Sequence, residues 1–340
     1  MPASEQQKDP LRFEFDLPLV ECFHPLGFTL EIATNSPEVL TAAEESWKHF
    51  QKRFAFPCLR MRLGVLEGKL RKRLVAPQVT GQWNMITQIV DGHNFVVSDA
   101  DCGRSYGWLT TDLVSERAYF RHHFLEGAFW MTAEPMYLTP IHAACVNRAG
   151  RGVLLCGDSG AGKSSLAYAC ARNGWSFLCD DASNLVRGLH GRTVIGNPYQ
   201  IRFRPSAADL FPELKHQRVS PRITGKLSIE LVTSTIPQIR TIPESPVDFI
   251  VFLNRRGGPA ELVPFSRRKA FAWFEHVICY GSQAVRSAQR DSFKRLLGAE
   301  IFELRYRDLD QAIAQLETMV NAFGAEAVTA PLSAEIDLNV

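Results

Sequence analysis

The pattern of apolar and polar positions changes near residue 136 of this 340-residue chain. Before that point, short alternating or β-branched runs, bounded by turn signals such as DGHN and DADCG, predict a series of strands. These runs are FTLEIAT (28–34), LRMRLGVLE (59–67), NMITQIV (84–90) and NFVVSDA (94–100). We therefore predict a β-rich N-terminal domain over residues 13–135, preceded by a flexible polar segment over residues 1–12.

Two helices are predicted within this domain. The first covers residues 36–54, where Ser36 is an N-cap candidate and Pro37 takes the first helical position. Its buried face is predicted from the spacing of four residues, Val39, Ala43, Trp47 and Phe50. The second covers residues 112–130 and leads into Pro135. It contains His122, His123 and Glu126, but adjacent histidines do not converge on a metal as an i, i+4 pair does.

After residue 136 the pattern predicts a mixed α/β domain that extends to residue 324. TPIHAACV (139–146), NRAG and RGVLLC (151–156) indicate a β-hairpin, and a helix and the strand WSFLCDD (175–181) follow as a βαβ-like unit. If NRAG is a four-residue loop, residues 146 and 151 pair, and so do 142 and 155.

The last predicted helix has clear end signals. Asp308 is its N-cap and Gln311 follows three residues later, while Gly324 is predicted to end it. One apolar stripe runs along it, made of Leu309, Ile313, Leu316, Val320 and Phe323. The tail over residues 325–340 is predicted to be loose.

Composition and charge narrow the function classes only slightly. The net charge of +2 gives no support for nucleic-acid binding. The basic cluster Lys69, Arg71, Lys72 and Arg73 is interpreted as a solvated turn or strand edge, with substrate docking as the alternative. The eight cysteines form no CxxC and no zinc spacing, which is typical of a reducing compartment. Without a signal-peptide pattern or an apolar run near 18 residues, we expect a cytoplasmic protein without membrane contact.

A phosphate-binding motif follows the strand RGVLLC. Residues 157–164, GDSGAGKS, match G-x-x-x-x-G-K-[ST] in full, after an apolar strand and before an alanine-rich helix. In such a loop the amides point at phosphate oxygens, the lysine neutralises the β- and γ-phosphates, and the hydroxyl binds Mg²⁺. The predicted nucleotide-binding residues are Gly157, Asp158, Ser159, Gly160, Ala161, Gly162, Lys163, Ser164 and Ser165.

Two aspartates are predicted to lie beside this loop. The helix from Lys163 to Asn173 leads roughly 16 Å away from the loop, and after Gly174 the strand leads back roughly 17 Å. Asp180 and Asp181 therefore return to the loop's edge of the sheet, where carboxylates hold Mg²⁺ or accept a proton from an attacking hydroxyl. Because neighbouring residues of a strand face opposite sides, one can face the metal and the other the substrate; the alternative for Asp181 is a turn cap.

His142 is placed at the same edge by the predicted hairpin. We expect it to contact phosphate or substrate, although a lone histidine is more often a satisfied core or edge residue.

These residues resemble the C-terminal catalytic domain of the bacterial HPr kinase/phosphorylase family, which has a phosphoenolpyruvate-carboxykinase-like P-loop fold. The resemblance lies in His142 and residues 152–182, GVLLCGDSGAGKSSLAYACARNGWSFLCDDA. It implies that the loop binds ATP, that Ser164 and Asp181 hold Mg²⁺, that His142 lines the phosphate site and that Asp180 is the base, with the two aspartates interchangeable. TGKLSIELV (224–232) is a weaker match, in which Lys226 is a candidate second cation or a surface lysine.

The chain also departs from that family. The acidic-x-Arg-Gly-Leu-Gly signature is absent, and GNPYQIRFRPS (196–206) stands in its region, with Arg202 and Arg204 as the phosphate-attracting groups. The resemblance therefore implies a divergent member, and it favours kinase chemistry over HPr as the substrate.

We predict an ATP-dependent kinase that transfers the γ-phosphoryl group to a serine of a protein or to another hydroxyl. A nucleotide-binding regulator with little transfer activity and a carboxykinase-like enzyme with a non-hydroxyl acceptor remain alternatives. The expected partners are the nucleotide and an acceptor that no motif identifies, with a homo-oligomer possible. Arg255 and Arg256 are candidates for the adenine rim.

Overall fold

A computed structural model describes residues 16–70, 74–189, 191–223, 225–256, 258–276 and 281–326, without the side chains of 323–326. Over this part of the chain the protein is mixed α/β, with sheets of seven, seven, four and three strands. The flexible segment predicted for residues 1–12, most of the basic cluster and the tail from 327 onwards lie outside the described residues. Among the described helices, none is long and apolar enough to cross a membrane.

The first sheet contains the strands predicted before residue 136. Its strands are β1 (Leu19–Phe23), β2 (Leu30–Thr34), β3 (Leu59–Leu66), β4 (Gln78–Gln82), β5 (Met85–Asp91), β6 (Asn94–Asp99) and β7 (Arg104–Thr110). They lie in the order β1-β2-β3-β7-β6-β5-β4, with β2, β3 and β7 parallel and the other neighbours antiparallel. The four predicted runs correspond to β2, β3, β5 and β6 and are confirmed.

Helices pack on this sheet, but their bounds differ from the prediction. They are α1 (Pro37–Trp47), α2 (Thr111–Ser115), α3 (Arg117–Phe120), a π-helical turn over Arg121–Glu126, and α4 (Gly127–Tyr137). The predicted end of the first helix at residue 54 is wrong, because the ring of Phe54 packs 4.8 Å from that of Phe28 and the chain leaves the helical path to reach it. The second helical region continues through Pro135 instead of stopping before it.

The second half of the chain begins with β8, and its elements are these: β8 (Leu138–Ile141), β9 (Ala144–Arg148), β10 (Arg151–Cys156), α5 (Lys163–Arg172), β11 (Ser176–Cys179), β12 (Ser183–Val186), β13 (Thr193–Ile195), β14 (Gln200–Phe203), β15 (Val219–Pro221), β16 (Leu227–Val232), β17 (Arg240–Thr241), β18 (Glu244–Pro246), β19 (Phe249–Arg255), β20 (Glu261–Pro264), α6 (Arg267–Glu275), α7 (Gln283–Leu296), β21 (Glu300–Tyr306) and α8 (Leu309–Glu326). The second seven-stranded sheet has the order β17-β11-β9-β10-β19-β21-β20. The antiparallel β9 lies between β10 and β11, so the two strands that flank α5 are not neighbours.

This sheet is covered on both faces. Val153 and Leu155 of β10 pack in the same cluster as α5 and α8, whereas Leu154 and Cys156 pack in the cluster of α6 and α7. The alternation along β10 follows the two-residue period of a strand. The result is a three-layer α/β/α arrangement, and the two remaining sheets are β18-β13-β12-β8 and β14-β16-β15.

The predicted register of the β9–β10 hairpin is wrong by two residues. Arg148 pairs with Arg151, and Ala144 pairs with Leu155, so the turn has two residues instead of four. Both turn residues have positive φ, 52° at Ala149 and 82° at Gly150, which is typical of the type I′ turn that suits a twisted hairpin. An alanine at such a position gives no sequence signal for this turn.

The cap predicted for the last helix is confirmed, and its predicted end is wrong. Asp308 accepts a hydrogen bond of 2.9 Å from the amide of Gln311. The helix runs past Gly324 to Glu326. An internal glycine costs only about 1 kcal/mol relative to alanine, which the burial of Leu316 and Val320 offsets. The side chain of Phe323 lies outside the described part.

Arg187 forms hydrogen bonds with the end of α4 and with the start of β8. It is 9% exposed, and its guanidinium donates to the carbonyl oxygens of Glu134, Pro135 and Leu138. The last carbonyls of a helix have few intrahelical donors, and the arginine donates to those of Glu134 and Pro135 and to that of Leu138 in β8. Burial lowers the pKa of Arg187 to about 10, which still leaves it charged at neutral pH.

We therefore expect Arg187→Leu to destabilise the protein by about 3 kcal/mol, because each buried carbonyl left without a donor costs about 1–3 kcal/mol. Urea denaturation followed by circular dichroism measures this loss. Arg268→Leu, at an exposed position of α6, is the matched control and should change the free energy of unfolding little. Equal stability of the two variants would contradict the role given to Arg187.

Candidate functional site

The glycine-rich loop connects the end of β10 to the start of α5. Gly160 and Gly162 have positive φ values of 94° and 99°, which side chains rarely allow. At Gly162 an added Cβ would also lie 2.5 Å from the hydroxyl oxygen of Tyr306. The tight path of the loop therefore requires glycine at this position.

Lys163 is held at the mouth of the loop. Its Nζ donates to the carbonyl oxygens of Gly157 at 2.8 Å and Asp158 at 3.2 Å, and it lies 3.1 Å from Nε2 of His142. Burial lowers the pKa of Lys163, and the nearby charge of Asp181 opposes that shift. The ammonium is thus a mostly buried cation fixed by the inner surface of the loop.

His142 joins Lys163 to Asp181. Its Nδ1 lies 3.1 Å from Oδ1 of Asp181. Because an ammonium can only donate, Nε2 of a neutral ring accepts from Lys163, and the ring proton lies on Nδ1 and faces the carboxylate. The side chains of His142 and Asp181 are 44% and 55% exposed, so this pair faces solvent.

Asp180 and Asp181 follow β11 in a bend and differ in exposure, because Asp180 is buried whereas Asp181 is exposed. Asp180 is 8% exposed, and its Oδ2 accepts a hydrogen bond of 2.8 Å from the amide of Arg202. Its main-chain oxygen accepts from the hydroxyl of Ser164 at 3.4 Å. Burial raises the pKa of the Asp180 carboxyl to about 6, although the Arg202 hydrogen bond opposes the shift.

The predicted site residues do not all converge. His142, Lys163 and Asp181 lie together, and Ser164 lies beside the main chain of Asp180. Lys226 is at the exposed turn between β15 and β16, where its carbonyl oxygen accepts from the amide of Arg222. The metal role of Asp181, the base role of Asp180 and the cationic role of Lys226 stay predictions.

Side chains from later in the chain also support the loop. Tyr306 donates its hydroxyl to the carbonyl oxygen of Ala161 at 3.2 Å, and burial raises its pKa to about 12. Arg204 donates to the hydroxyl of Ser159 at 2.8 Å. The sequence singled out Arg204 but gave no role to Tyr306. The position of Tyr306 at the carboxyl end of β21 is the sequence signal that could have indicated it, because the carboxyl ends of parallel strands meet at one edge of a sheet.

His122 and His123 lie side by side in the π-helical turn. The rings stand 4.7 Å apart, and burial together with the charge of His122 lowers the pKa of His123 to about 4. Over the described ranges, no three histidine, cysteine, aspartate or glutamate side chains are grouped as for a metal ion.

Comparison with known proteins gives little further information. No family model matches the chain, and no curated protein matches it. Among solved structures, the chain is similar to the Hpr(Ser) kinase/phosphatase from Coxiella burnetii, with a TM-score of 0.31 and 16% identity. The match covers 56% of this chain and 98% of that one. Similarity at this level is too low to assign a family, so the resemblance stays a prediction.

We expect Asp180→Asn to change how stability depends on pH. The carboxyl has a pKa of about 6 when folded and of about 4 when unfolded, so the folded state binds more protons between these values. Stability from this group therefore falls as pH rises through that window, by on the order of 2 kcal/mol. An asparagine side chain can still accept the hydrogen bond from the amide of Arg202, but it carries no charge. In the variant, stability should therefore not show this decrease as pH rises.

Thermal unfolding from pH 4 to pH 8, in EDTA and without nucleotide, measures the difference between wild type and variant. Asp209→Asn, at an exposed position, is the control. Parallel profiles for wild type and Asp180→Asn would show that the Asp180 carboxyl is not held as described.

Proposed function

We propose that this chain is an ATP-dependent phosphotransferase with a P-loop core of the phosphoenolpyruvate-carboxykinase type, distantly related to the HPr kinase/phosphorylase family. It would transfer the γ-phosphoryl group to a hydroxyl with the help of Mg²⁺. One observation carries the proposal: Lys163, His142 and Asp181 meet within hydrogen-bond distance at the mouth of the glycine-rich loop. A cation for phosphate and a solvent-facing acid–base pair are the two things that this transfer requires.

The residues of the loop fit a nucleotide triphosphate. Main-chain amides before α5, the amino end of that helix and the Lys163 ammonium supply positive charge and hydrogen-bond donors to phosphate oxygens. Because Lys163 already bonds two loop carbonyls, its charge is held beside the loop before a nucleotide arrives. Such prior placement reduces the cost of ordering the site on binding.

The oxygen ligands suit Mg²⁺ as well. The Ser164 hydroxyl is a hard oxygen donor, and Mg²⁺ in kinase sites takes one or two protein oxygens together with phosphate oxygens and water. When bound, the metal would neutralise charge on the phosphates.

For the acid–base step we assign Asp181 as the group that accepts the proton of the acceptor hydroxyl. Its carboxylate is exposed, and the ring of His142 fixes one of its oxygens. Asp180 would instead position the strand end, since its carboxylate is buried against the amide of Arg202. This assignment moves the base role, first expected of Asp180, to Asp181, and it leaves Ser164 as the protein ligand of the metal.

Two substitutions separate nucleotide binding from transfer. Lys163→Ala should reduce ATP affinity at least about tenfold, since it removes the buried cation. Asp181→Asn should leave ATP affinity within about threefold of wild type and reduce transfer about 10²–10⁴-fold, the range for loss of an acid–base group. Calorimetry with ATP and Mg²⁺ measures affinity, and release of labelled phosphate together with labelling of a serine-peptide library measures transfer.

Asp209→Asn serves as the control for a lost carboxylate. Wild-type protein that binds ATP but transfers phosphate to neither water nor any peptide would favour a nucleotide-binding regulator instead. Equal losses of ATP affinity in Lys163→Ala and Asp181→Asn would contradict the division of roles.

A further inference from the structure

Positive charge is concentrated in one segment of the chain. Residues 200–226 contain six lysines and arginines and two acidic residues, a net charge of +4, whereas the whole chain carries +2. The remaining residues therefore carry a net charge of −2. The segment runs from β14, through two short 3₁₀ helices, into the hairpin of β15 and β16.

Four of these six cations are not neutralised within the described structure. Arg202 pairs with Glu230 at 3.1 Å, and Arg204 bonds Ser159. In contrast, none of the ion pairs found among the described residues involves the other four, which are Lys215, Arg218, Arg222 and Lys226. Nε of Arg222 is also buried without a hydrogen-bond partner. We call residues 215–227, apart from the undescribed Thr224, the basic hairpin.

Aliphatic side chains are exposed among these cations. Phe203 and Ile229 pair across β14 and β16 and are buried in the main core. The same face of the sheet continues outward to Leu227, which is 57% exposed, and Val219, which is 43% exposed. An apolar surface rimmed by charge is typical of a protein-docking surface.

The basic hairpin lies at the end of the sheet that reaches the loop. β14 ends at Phe203, and the next residue, Arg204, bonds Ser159 of the loop. Since β16 is antiparallel to β14 and pairs Ile229 with Phe203, Lys226 lies roughly 10 Å further along in that direction. A chain bound on the hairpin is therefore within reach of the Asp181 carboxylate.

We propose that the basic hairpin docks the phosphate acceptor, and that the acceptor is a protein whose docking segment carries acidic and aliphatic side chains. This inference rests on the proposed function, because it identifies the class of substrate for the same site. Charge complementarity of this kind speeds encounter and selects partners. It also gives a role to four cations that no described carboxylate neutralises.

Two other occupants fit the surface less well. Single-stranded nucleic acid is held by aromatic stacking beside its phosphates, whereas the large exposed apolar residues here are aliphatic: Leu210, Val219, Ile223 and Leu227. A second copy of this chain in a two-fold contact would bring identical cations face to face, which repels.

The test uses the full chain and labelled probes. One peptide carries a serine, leucines and several glutamates, a second replaces each glutamate by lysine, and the third probe is a single-stranded oligonucleotide. Fluorescence anisotropy measures their binding at low and high salt. Lys215→Glu with Arg218→Glu removes cations from the hairpin, and Arg268→Glu with Lys269→Glu, at exposed positions of α6, makes the same change of charge elsewhere.

We expect the acidic peptide to bind at least about tenfold more tightly than the basic one, with a steep loss at high salt. The hairpin variant should lose this preference, and the α6 variant should keep it. Equal binding of the two peptides, equal losses in both variants, or tighter binding of the oligonucleotide that depends on the hairpin would overturn the proposal.

ATP affinity, measured in the same samples, tests the proposed function separately. Acidic-peptide preference without ATP binding would support the docking surface and contradict the phosphotransferase. ATP binding without a preference for the acidic peptide would support the phosphotransferase and contradict the docking surface.

Discussion

The site depends on how one mostly buried ammonium is held. Lys163 is 6% exposed, and an ammonium in such a place must keep hydrogen-bond acceptors, because its desolvation is otherwise costly. The carbonyls of Gly157 and Asp158 provide two, and the His142 ring provides the third. The first two require the curled loop, and the third requires the connection between β8 and β9, which holds His142 beside the loop. Meeting the needs of this one cation thus fixes the loop, the histidine and, through the histidine, Asp181.

Much of this arrangement could be predicted from the sequence because it follows from chain geometry. A helix and a strand of matching length return Asp180 and Asp181 to the loop, and the structure places both there. The hairpin register was wrong because Ala149 adopts a left-handed conformation that its residue type does not signal. His142 lies in the connection between β8 and β9 instead of within the predicted hairpin strand, and it still reaches Lys163 at the loop. The contacts of Tyr306 and Arg204 come from distant parts of the chain and depend on packing.

Two surfaces around the site are suited to different ligands. The loop and α5 present amides and a cation, which suit any triphosphate, whereas the basic hairpin presents unpaired cations beside exposed aliphatic side chains, which suit a particular partner. The buried Asp180 connects the loop to β14, the strand that pairs with β16 of this hairpin: its carboxylate accepts from the amide of Arg202 and its carbonyl accepts from Ser164.

The most direct test of this account is a crystal structure with Mg²⁺ and a non-hydrolysable ATP analogue. We expect the terminal phosphate within hydrogen-bond distance of Lys163 Nζ, about 3 Å, with the Asp181 carboxylate facing that phosphate and the loop amides pointing at the phosphate oxygens. A triphosphate bound elsewhere, or one bound in the loop with Asp181 turned away and out of reach of the terminal phosphate, would contradict it.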